Sequence, residues 1–519
     1  MAHQHSAAAA DSTQLTDSSS AQLAERALAN ATAAAAASST SSSSASSSSS
    51  SSSGDGHHGG GGGGGSSHPR TGLVSSKSFS TLLTNSRATH ASITPTGTPD
   101  KLAIVMVGLP ARGKSYIARK LARYLCWLGV EAKVFNVGVY RRETVGAEQK
   151  ADFFDPKNAE AEQKRREISF VALQDLLQWF KEGGRVGFYD ATNTTRNRRK
   201  LIVDTMTKEK IQTFFIESIC DDPDLIRQNI QLVKLGSPDY RNMPPEAAIE
   251  DFIQRIQHYQ AAYEPMDDEL DKHLSYIRMI DVGAKFVVNR TTGYLQSRIV
   301  YFLMNTHIAP RAIYLTRHGE SEYNVEGKIG GDAPLSSRGQ AYARELKNWM
   351  AEFGPKDFTI WTSTLTRARQ TAAVFGRPFV EWRALDELDA GECDGMTYEE
   401  IQEKFPQDFA RRDEDKYLYR YPRGESYRDV VSRLEPCIME LERQKDVVVV
   451  GHQAVLRCLL AYFLDKPSEE LPYVDVPLHT VIKLTPIAYG CKVEMFKVNV
   501  PAVNTYRPKP ADGPTAAGH

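Results

Sequence analysis

Two short segments constrain this chain more than anything else in its 519 residues: Gly108-Leu-Pro-Ala-Arg-Gly-Lys114-Ser115 and, about two hundred residues on, Leu315-Thr-Arg317-His318-Gly319-Glu320. Each follows a short apolar run. Leu102-Ala-Ile-Val-Met-Val107 is continuous and uncharged, as a strand buried on both faces of a parallel sheet must be. After the glycine loop, Ile117, Leu121, Leu125 and Leu128 recur at helical spacing, and Gly129 stands where a helix C-terminus belongs. Strand, loop and helix in that order form a phosphate cradle. Gly108, Leu109, Pro110, Ala111, Arg112, Gly113, Lys114, Ser115 and Tyr116 form such a loop and helix start, whose backbone N–H groups (Pro110 having none) cradle phosphate, with Lys114 reaching the β/γ-phosphates and Ser115 an oxygen ligand for Mg2+. The second segment sets an imidazole beside a guanidinium at a strand end, where the ring can itself receive a phosphoryl group.

Length predicts two or three domains, and the first hundred residues supply none of them. Residues 1–97 are dominated by Ser, Ala and Gly, with Phe79 as the one aromatic, and cannot bury enough apolar area to offset the entropy of ordering. They are expected to be a disordered tail, with a transient helix around 24 to 37 and with Ser75, Ser76, Ser78 and Ser80 as candidate sites for protein kinases. No secretory h-region and no membrane-length apolar run is found. Six cysteines without a C-x-x-C pair argue against a zinc ribbon or a disulfide framework and for a reducing, cytoplasmic setting. With 63 basic and 64 acidic side chains there is no whole-chain field for nucleic acid.

A second strand, Val186-Gly-Phe-Tyr, ends at Asp190, which is placed to hold Mg2+ or orient an attacking hydroxyl, or alternatively to cap the next helix. Arg141, Arg142, Arg165 and Arg198 punctuate the same half. A kinase acting on an anionic small molecule would need several of them to converge. In the second half, a boundary falls at 305–310, and the strand Ala312-Ile-Tyr-Leu-Thr316 delivers Arg317-His318. Phe358-Thr-Ile-Trp-Thr-Ser363 leads to Arg367 at a helix start, Leu385 to Asp389 contributes acids including Glu387, and Val447-Val-Val-Val450 delivers Gly451-His452. These are the parts of a phosphohistidine mechanism: His318 attacks phosphorus, Arg317 and Arg367 stabilise the equatorial charge, Glu387 protonates the leaving oxygen and His452 supports the transferring group. The first region suits a kinase and the second a phosphatase.

The stretches Val107 to Tyr116, Val134-Phe-Asn-Val-Gly-Val-Tyr-Arg-Arg142, Asp190-Ala-Thr-Asn-Thr-Thr-Arg196, Phe214 to Cys220 and Val233 to Tyr240 resemble the kinase half of the bifunctional 6-phosphofructo-2-kinase/fructose-2,6-bisphosphatase family. Arg317 to Asn324, Glu387 to Gly391, Met396 to Glu400, Asp415-Lys416-Tyr, Arg420 to Tyr427 and His452 to Lys466 resemble its other half, which is similar to the histidine phosphatase and phosphoglycerate mutase-like superfamily. The resemblance implies an α/β chain: a P-loop kinase domain with a mostly parallel sheet at 98–308, then a histidine-phosphatase α/β domain at 309–505, with a flexible tail at 506–519. It implies ATP with Mg2+ for the kinase, Ser115 and Asp190 as its ligands, no cofactor for the phosphatase, and a homodimer. It places Asn229 and Lys234 against the nucleotide and Arg141, Arg165, Thr192, Arg198, Arg255 and Tyr259 around fructose 6-phosphate. It also implicates Asp190 and Cys220 in kinase catalysis, although a buried structural thiol explains Cys220 equally well. Asn324, Gly330, Tyr398, Arg412, Lys416, Tyr427, Gln453, Arg457 and Tyr489 would bind fructose 2,6-bisphosphate together with Arg317 and Arg367. The chain departs from the family pattern at Thr316 and Gly451, where cysteine is expected, but neither change removes a reacting group.

Two other readings compete. One pairs a P-loop kinase of another small molecule or a polynucleotide end with a mutase-like domain, and near-neutral charge disfavours the polynucleotide. The other is a nucleotide-sensing scaffold, which would need none of the reactivity of Lys114, Asp190, His318, Glu387 and His452.

Overall fold

The structure is a computed structural model that describes residues 101–231, 237–306, 311–487 and 490–509. The amino-terminal segment with its expected helix and serines, Lys234, Tyr489 and the last ten residues lie outside the described residues.

The first half builds a six-stranded sheet from β1 (Leu102–Val107), β2 (Ala132–Asn136), β3 (Val186–Asp190), β4 (Gln212–Ile219), β5 (Tyr276–Ile280) and β6 (Lys285–Asn289), in the order β2-β3-β1-β4-β5-β6. All neighbours are parallel except β5 and β6. Every residue of β1 is buried, as its unbroken apolar run requires of a central strand covered on both faces. The chain leaves β1 toward β2 on one side, then fills β4 on the other. The glycine loop therefore opens at the point where strand order reverses, the usual crevice of an open α/β sheet. Its helix, Lys114–Trp127, ends with Gly129 at φ +78°, where a left-handed residue closes the turn.

The second half adds β7 (Ile313–Arg317), β8 (Thr359–Thr362), β9 (Val380–Glu381), β10 (Val447–Gly451), β11 (Thr480–Ile487) and β12 (Gly490–Lys497), in the order β12-β11-β7-β10-β8-β9. The strands β7, β10, β8 and β9 run parallel, and β11 and β12 extend the sheet antiparallel. In β10 against β7 the register pairs Gly451 with Arg317, so His452 and His318 emerge side by side from adjacent strands.

Residues of both halves join in one apolar cluster. The helices Lys114–Trp127 and Gln453–Leu464 meet there. Trp127 donates its indole N–H to the carbonyl of Cys458 at 2.9 Å, and Arg123 lies 4.8 Å from the Tyr462 ring centroid. Glu442, buried in this joint, faces Lys120, Arg311 and the Tyr462 hydroxyl. Among the described residues, no helix is long and apolar enough to cross a membrane.

Candidate functional sites

The phosphate cradle forms as the glycine spacing demands. Gly108 sits at φ +128°, and a Cβ there would lie 2.5 Å from the carbonyl oxygen of Ser218, so only glycine fits. Ala111 and Gly113 are also left-handed. Gly113 caps the helix without a side chain, leaving the first N–H groups directed at the loop. Lys114 is buried, with Nζ folded back onto the Leu109 carbonyl. Arg112 donates to Pro110 at 3.1 Å, and Asn229 donates to the Ala111 carbonyl at 3.2 Å, which closes the far wall. The Tyr116 ring instead runs along the helix, its hydroxyl accepting from Lys120 at 3.2 Å.

Asp190 is buried at the end of β3. Asn136 Nδ2 donates to it and also to Ser115 Oγ at 3.3 Å, so one amide spans the two oxygens. A hydroxyl and a carboxylate held this way are a hard-oxygen pair suited to Mg2+. The capping alternative is excluded: the following helix, Arg196–Lys208, is capped by Thr195, whose side chain accepts the N–H of Arg198 at 3.3 Å. Cys220 is buried just after β4, near Arg112.

The arginines do converge. Asp239 gathers Arg141 (2.5 Å), Arg255 (3.5 Å) and Arg142 (3.7 Å), and Arg255 stacks 3.7 Å from the centroid of Phe154, whose ring also neighbours Phe153, Arg141 and Tyr259. Arg165 lies within electrostatic reach of Tyr259 and Arg198, and Arg198 donates to Asn193 at 2.8 Å and to the Tyr189 hydroxyl at 3.2 Å. Thr192 accepts the Gly108 N–H through its backbone at 3.0 Å, tying this wall to the cradle. Among the described residues, Nε and Nη1 of Arg141 and Nε of Arg255 are buried donors without a hydrogen-bond partner. Such donors are what an anionic sugar phosphate would take up.

In the second site, His318 Nδ1 lies 2.6 Å from the carbonyl of Gly319. A carbonyl only accepts, so Nδ1 carries the proton and Nε2 keeps its lone pair. Arg367 Nε donates to that Nε2 at 3.1 Å. Burial, then Arg367 and Arg317, hold the His318 imidazole well below its usual range, and burial with Arg367 does the same to His452. Both rings are therefore neutral at pH 7. Their centroids are 5.0 Å apart, and His452 Nε2 shares a 2.6 Å hydrogen bond with Ser363. Arg317, lowered to about 10 by burial, is held by the Val476 carbonyl at 3.2 Å and Thr505 Oγ1 at 2.6 Å. Glu387 accepts the N–H of Leu388 at 2.9 Å and of Ala454 at 3.1 Å, and its carboxyl lies within electrostatic reach of Arg317, Arg367 and Arg457.

A basic wall adjoins these groups. Arg412 donates to the hydroxyls of Tyr421 (3.1 Å) and Tyr398 (3.4 Å), and Arg457 to the hydroxyl of Tyr427 (3.2 Å). Burial beside Arg412, Arg457 and Arg507 pushes the Lys416 ammonium down to about 6. Gln453 donates to Thr505, and Gly330 adjoins Gly331, whose carbonyl accepts from Arg367 at 2.7 Å. Asn324 points into its own turn, accepting from Ser321 N at 3.1 Å. Sequence reasoning missed Asp239, Ser363, Thr505 and Arg507. Arg507 lies 4.1 Å from the centroid of Tyr398, inside a stretch expected to be a flexible tail. No spacing rule finds a residue that reaches its site from a Pro-flanked terminus.

Fold and site together define a P-loop kinase joined to a histidine phosphatase. The 6-phosphofructo-2-kinase family profile matches residues 89–310, and that of the histidine phosphatase superfamily (branch 1) matches 313–499. The chain is 56% identical over 422 residues to 6-phosphofructo-2-kinase/fructose-2,6-bisphosphatase 1 of Homo sapiens, covering 81% of this chain and 89% of that protein. It is 55% identical over 422 residues to the enzyme of that name in Gallus gallus, covering 81% and 90%. Against human 6-phosphofructo-2-kinase/fructose-2,6-bisphosphatase 4 the identity is 56% over 408 residues, covering 78% and 87%. The chain belongs to the bifunctional 6-phosphofructo-2-kinase/fructose-2,6-bisphosphatase family.

Proposed function

We propose that this protein makes fructose 2,6-bisphosphate from ATP and fructose 6-phosphate and hydrolyses it back to fructose 6-phosphate and phosphate, thereby setting the level of a regulator of glycolysis and gluconeogenesis. The observation that carries the mechanism is the His318 tautomer: Nδ1–H on the Gly319 carbonyl, and a lone pair on Nε2 beside Arg367. In hydrolysis, Nε2 bonds to the 2-phosphate phosphorus while the bond from phosphorus to sugar O2 breaks, and Glu387 gives O2 its proton. Water oxygen then bonds to phosphorus as the phosphorus–Nε2 bond breaks and returns its electron pair to His318, Glu387 takes back a proton, and phosphate leaves. Arg317 and Arg367 neutralise the equatorial oxygens, and His452 Nδ1, buried without a hydrogen-bond partner among the described residues, would bond the same phosphoryl group. Lys416, Arg412, Arg457, Tyr398, Tyr427, Gln453 and Gly330 hold the rest of the bisphosphate.

In synthesis, sugar O2 bonds to the γ-phosphorus of ATP as its O–H proton is lost to solvent and the β–γ bridge breaks, releasing ADP. Lys114 and the loop N–H groups position the nucleotide with Asn229, while Arg141, Arg165, Arg198, Arg255 and Tyr259 hold the sugar phosphate. Ser115 and Asp190 would hold Mg2+, which when bound neutralises phosphate charge. Asp190 also lies where it can orient the attacking hydroxyl. A homodimer and a cytoplasmic location belong to the same proposal. Exposed Val288 on the edge strand β6 is consistent with pairing through the kinase half.

The test is to incubate purified protein with ATP, Mg2+ and fructose 6-phosphate, and separately with fructose 2,6-bisphosphate labelled at the 2-phosphate. Bisphosphate should form in the first. In the second, phosphate should be released and an acid-labile, base-stable label should appear on the protein, absent in His318→Ala. Label persisting in that variant would overturn the assignment.

A further inference from the structure

The hydrogen bonding that fixes His318 does not stop at Gly319. The carbonyl accepting His318 Nδ1–H belongs to the Gly319–Glu320 peptide, and the N–H of that same planar unit donates to His479 Nε2 at 3.0 Å. His479 Nδ1 is 2.9 Å from the Val500 carbonyl, so Nδ1 carries the proton and Nε2 is free to accept. The ring is buried and lies flat on Tyr342, with centroids 4.4 Å apart and planes 6° from parallel. The Tyr342 hydroxyl in turn shares a 2.5 Å hydrogen bond with Thr316, two residues before His318. Helix Ser337–Phe353 presses on the same peptide: a Cβ on Gly339 would lie 2.9 Å from the Glu320 nitrogen. The backbone of His479 is held at φ +54°, a left-handed conformation that a non-glycine residue keeps only when its surroundings impose it.

We propose that His479 is a positioning residue for hydrolysis: by accepting the Glu320 N–H, it fixes the peptide plane whose carbonyl keeps the proton of His318 on Nδ1 and the lone pair on Nε2. As Nε2 bonds to phosphorus, positive charge develops on the His318 ring and Gly319 O is drawn harder onto Nδ1–H. The same peptide's N–H then becomes a stronger donor to His479, and the linked bonds reinforce one another. Glu320, Arg317 and Arg338 are the charged groups facing His479. Burial, with Arg317 and Arg338, keeps the ring below its usual range against Val500 and Glu320, so it remains the neutral acceptor this role requires.

The inference rests on His318 as the nucleophile, and the experiment separates the two. Rapid-quench labelling of the full chain with bisphosphate labelled at the 2-phosphate is compared in unaltered protein, His479→Gln, which retains an acceptor, and His479→Leu, which does not. In the Leu variant, phosphoenzyme formation should slow by about 10- to 100-fold, as for other supporting partners of a reacting histidine, with KM changed less than about 2-fold. The Gln variant should recover most of the rate, and kinase activity should persist in both as an internal measure of folding. In unaltered protein, nitrogen NMR should find the unprotonated nitrogen of His479 at Nε2, whichever variants fold. Equal losses in Gln and Leu, an unchanged rate in Leu, or a protonated His479 Nε2 would overturn the role of His479. Absence of label on His318 in unaltered protein would instead overturn the nucleophile.

Discussion

Glu442 gives the most quantitative test of how the two halves are held together. Its carboxylate is 1% exposed and lies 2.8 Å from Lys120 Nζ, against Arg311, 2.6 Å from the Tyr462 hydroxyl and 3.8 Å from Arg123. Burial alone would raise this carboxyl, but Lys120 and Arg311 outweigh it and bring it from 4.5 to about 2. That difference corresponds to about 3 kcal/mol of preference for the charged form in the folded protein. Glu442→Gln leaves the cations buried without their counter-charge and should destabilise by about 3 to 5 kcal/mol. Because the folded value lies below the unfolded one, the contribution is complete above 4.5 and is lost as pH falls toward 2. The gap between the two proteins should therefore close over that window. Urea unfolding followed by tryptophan fluorescence is a suitable assay, since Trp127 sits in this joint. A gap under about 1 kcal/mol at pH 7, or one that does not narrow below pH 4.5, would refute the assigned energetics. Replacing the group with Lys120→Met, Glu442→Leu and Arg311→Met together should recover most of the loss, because packed apolar side chains carry no desolvation penalty.

Three further outcomes follow from the sites. Lys114→Ala should abolish bisphosphate synthesis while hydrolysis stays within about 2-fold, because the lysine folds only over the nucleotide loop; coupled assays of both reactions on one preparation check this. Glu387→Gln should slow phosphoenzyme formation by about 10²- to 10⁴-fold, the range typical of a general acid, with rapid-quench labelling as the readout. Lys416, lowered to about 6 when the site is empty, must gain a proton to meet a phosphate dianion, so affinity should fall as pH rises above 6, by up to about tenfold per unit. Calorimetry in buffers of different ionisation enthalpy, in a His318→Ala background at pH 8, should detect proton uptake that vanishes in Lys416→Met.

What the sequence determined by itself is whatever local pattern controls. The all-buried run of β1, the left-handed glycines of the loop, and the strand ends carrying Asp190, His318 and His452 are consequences of short-range sterics and of period in the apolar pattern. His318 and His452 could be named because each sits one step beyond such a strand, and Asp190 because it ends one. The tertiary structure alone decided which groups meet from afar. Strand register sets His452 against His318, and three chain segments carry Arg141, Arg255 and Asp239 to one point. The residue just before β11 brings its imidazole, that of His479, behind the nucleophile's peptide, and the final described segment lays Thr505 and Arg507 over the basic wall. The joint through Glu442 was invisible for the same reason. A glutamate near the end of an amphipathic helix looks solvent-facing until another domain's lysine is packed against it, and no periodicity records the charge that a distant segment will contribute.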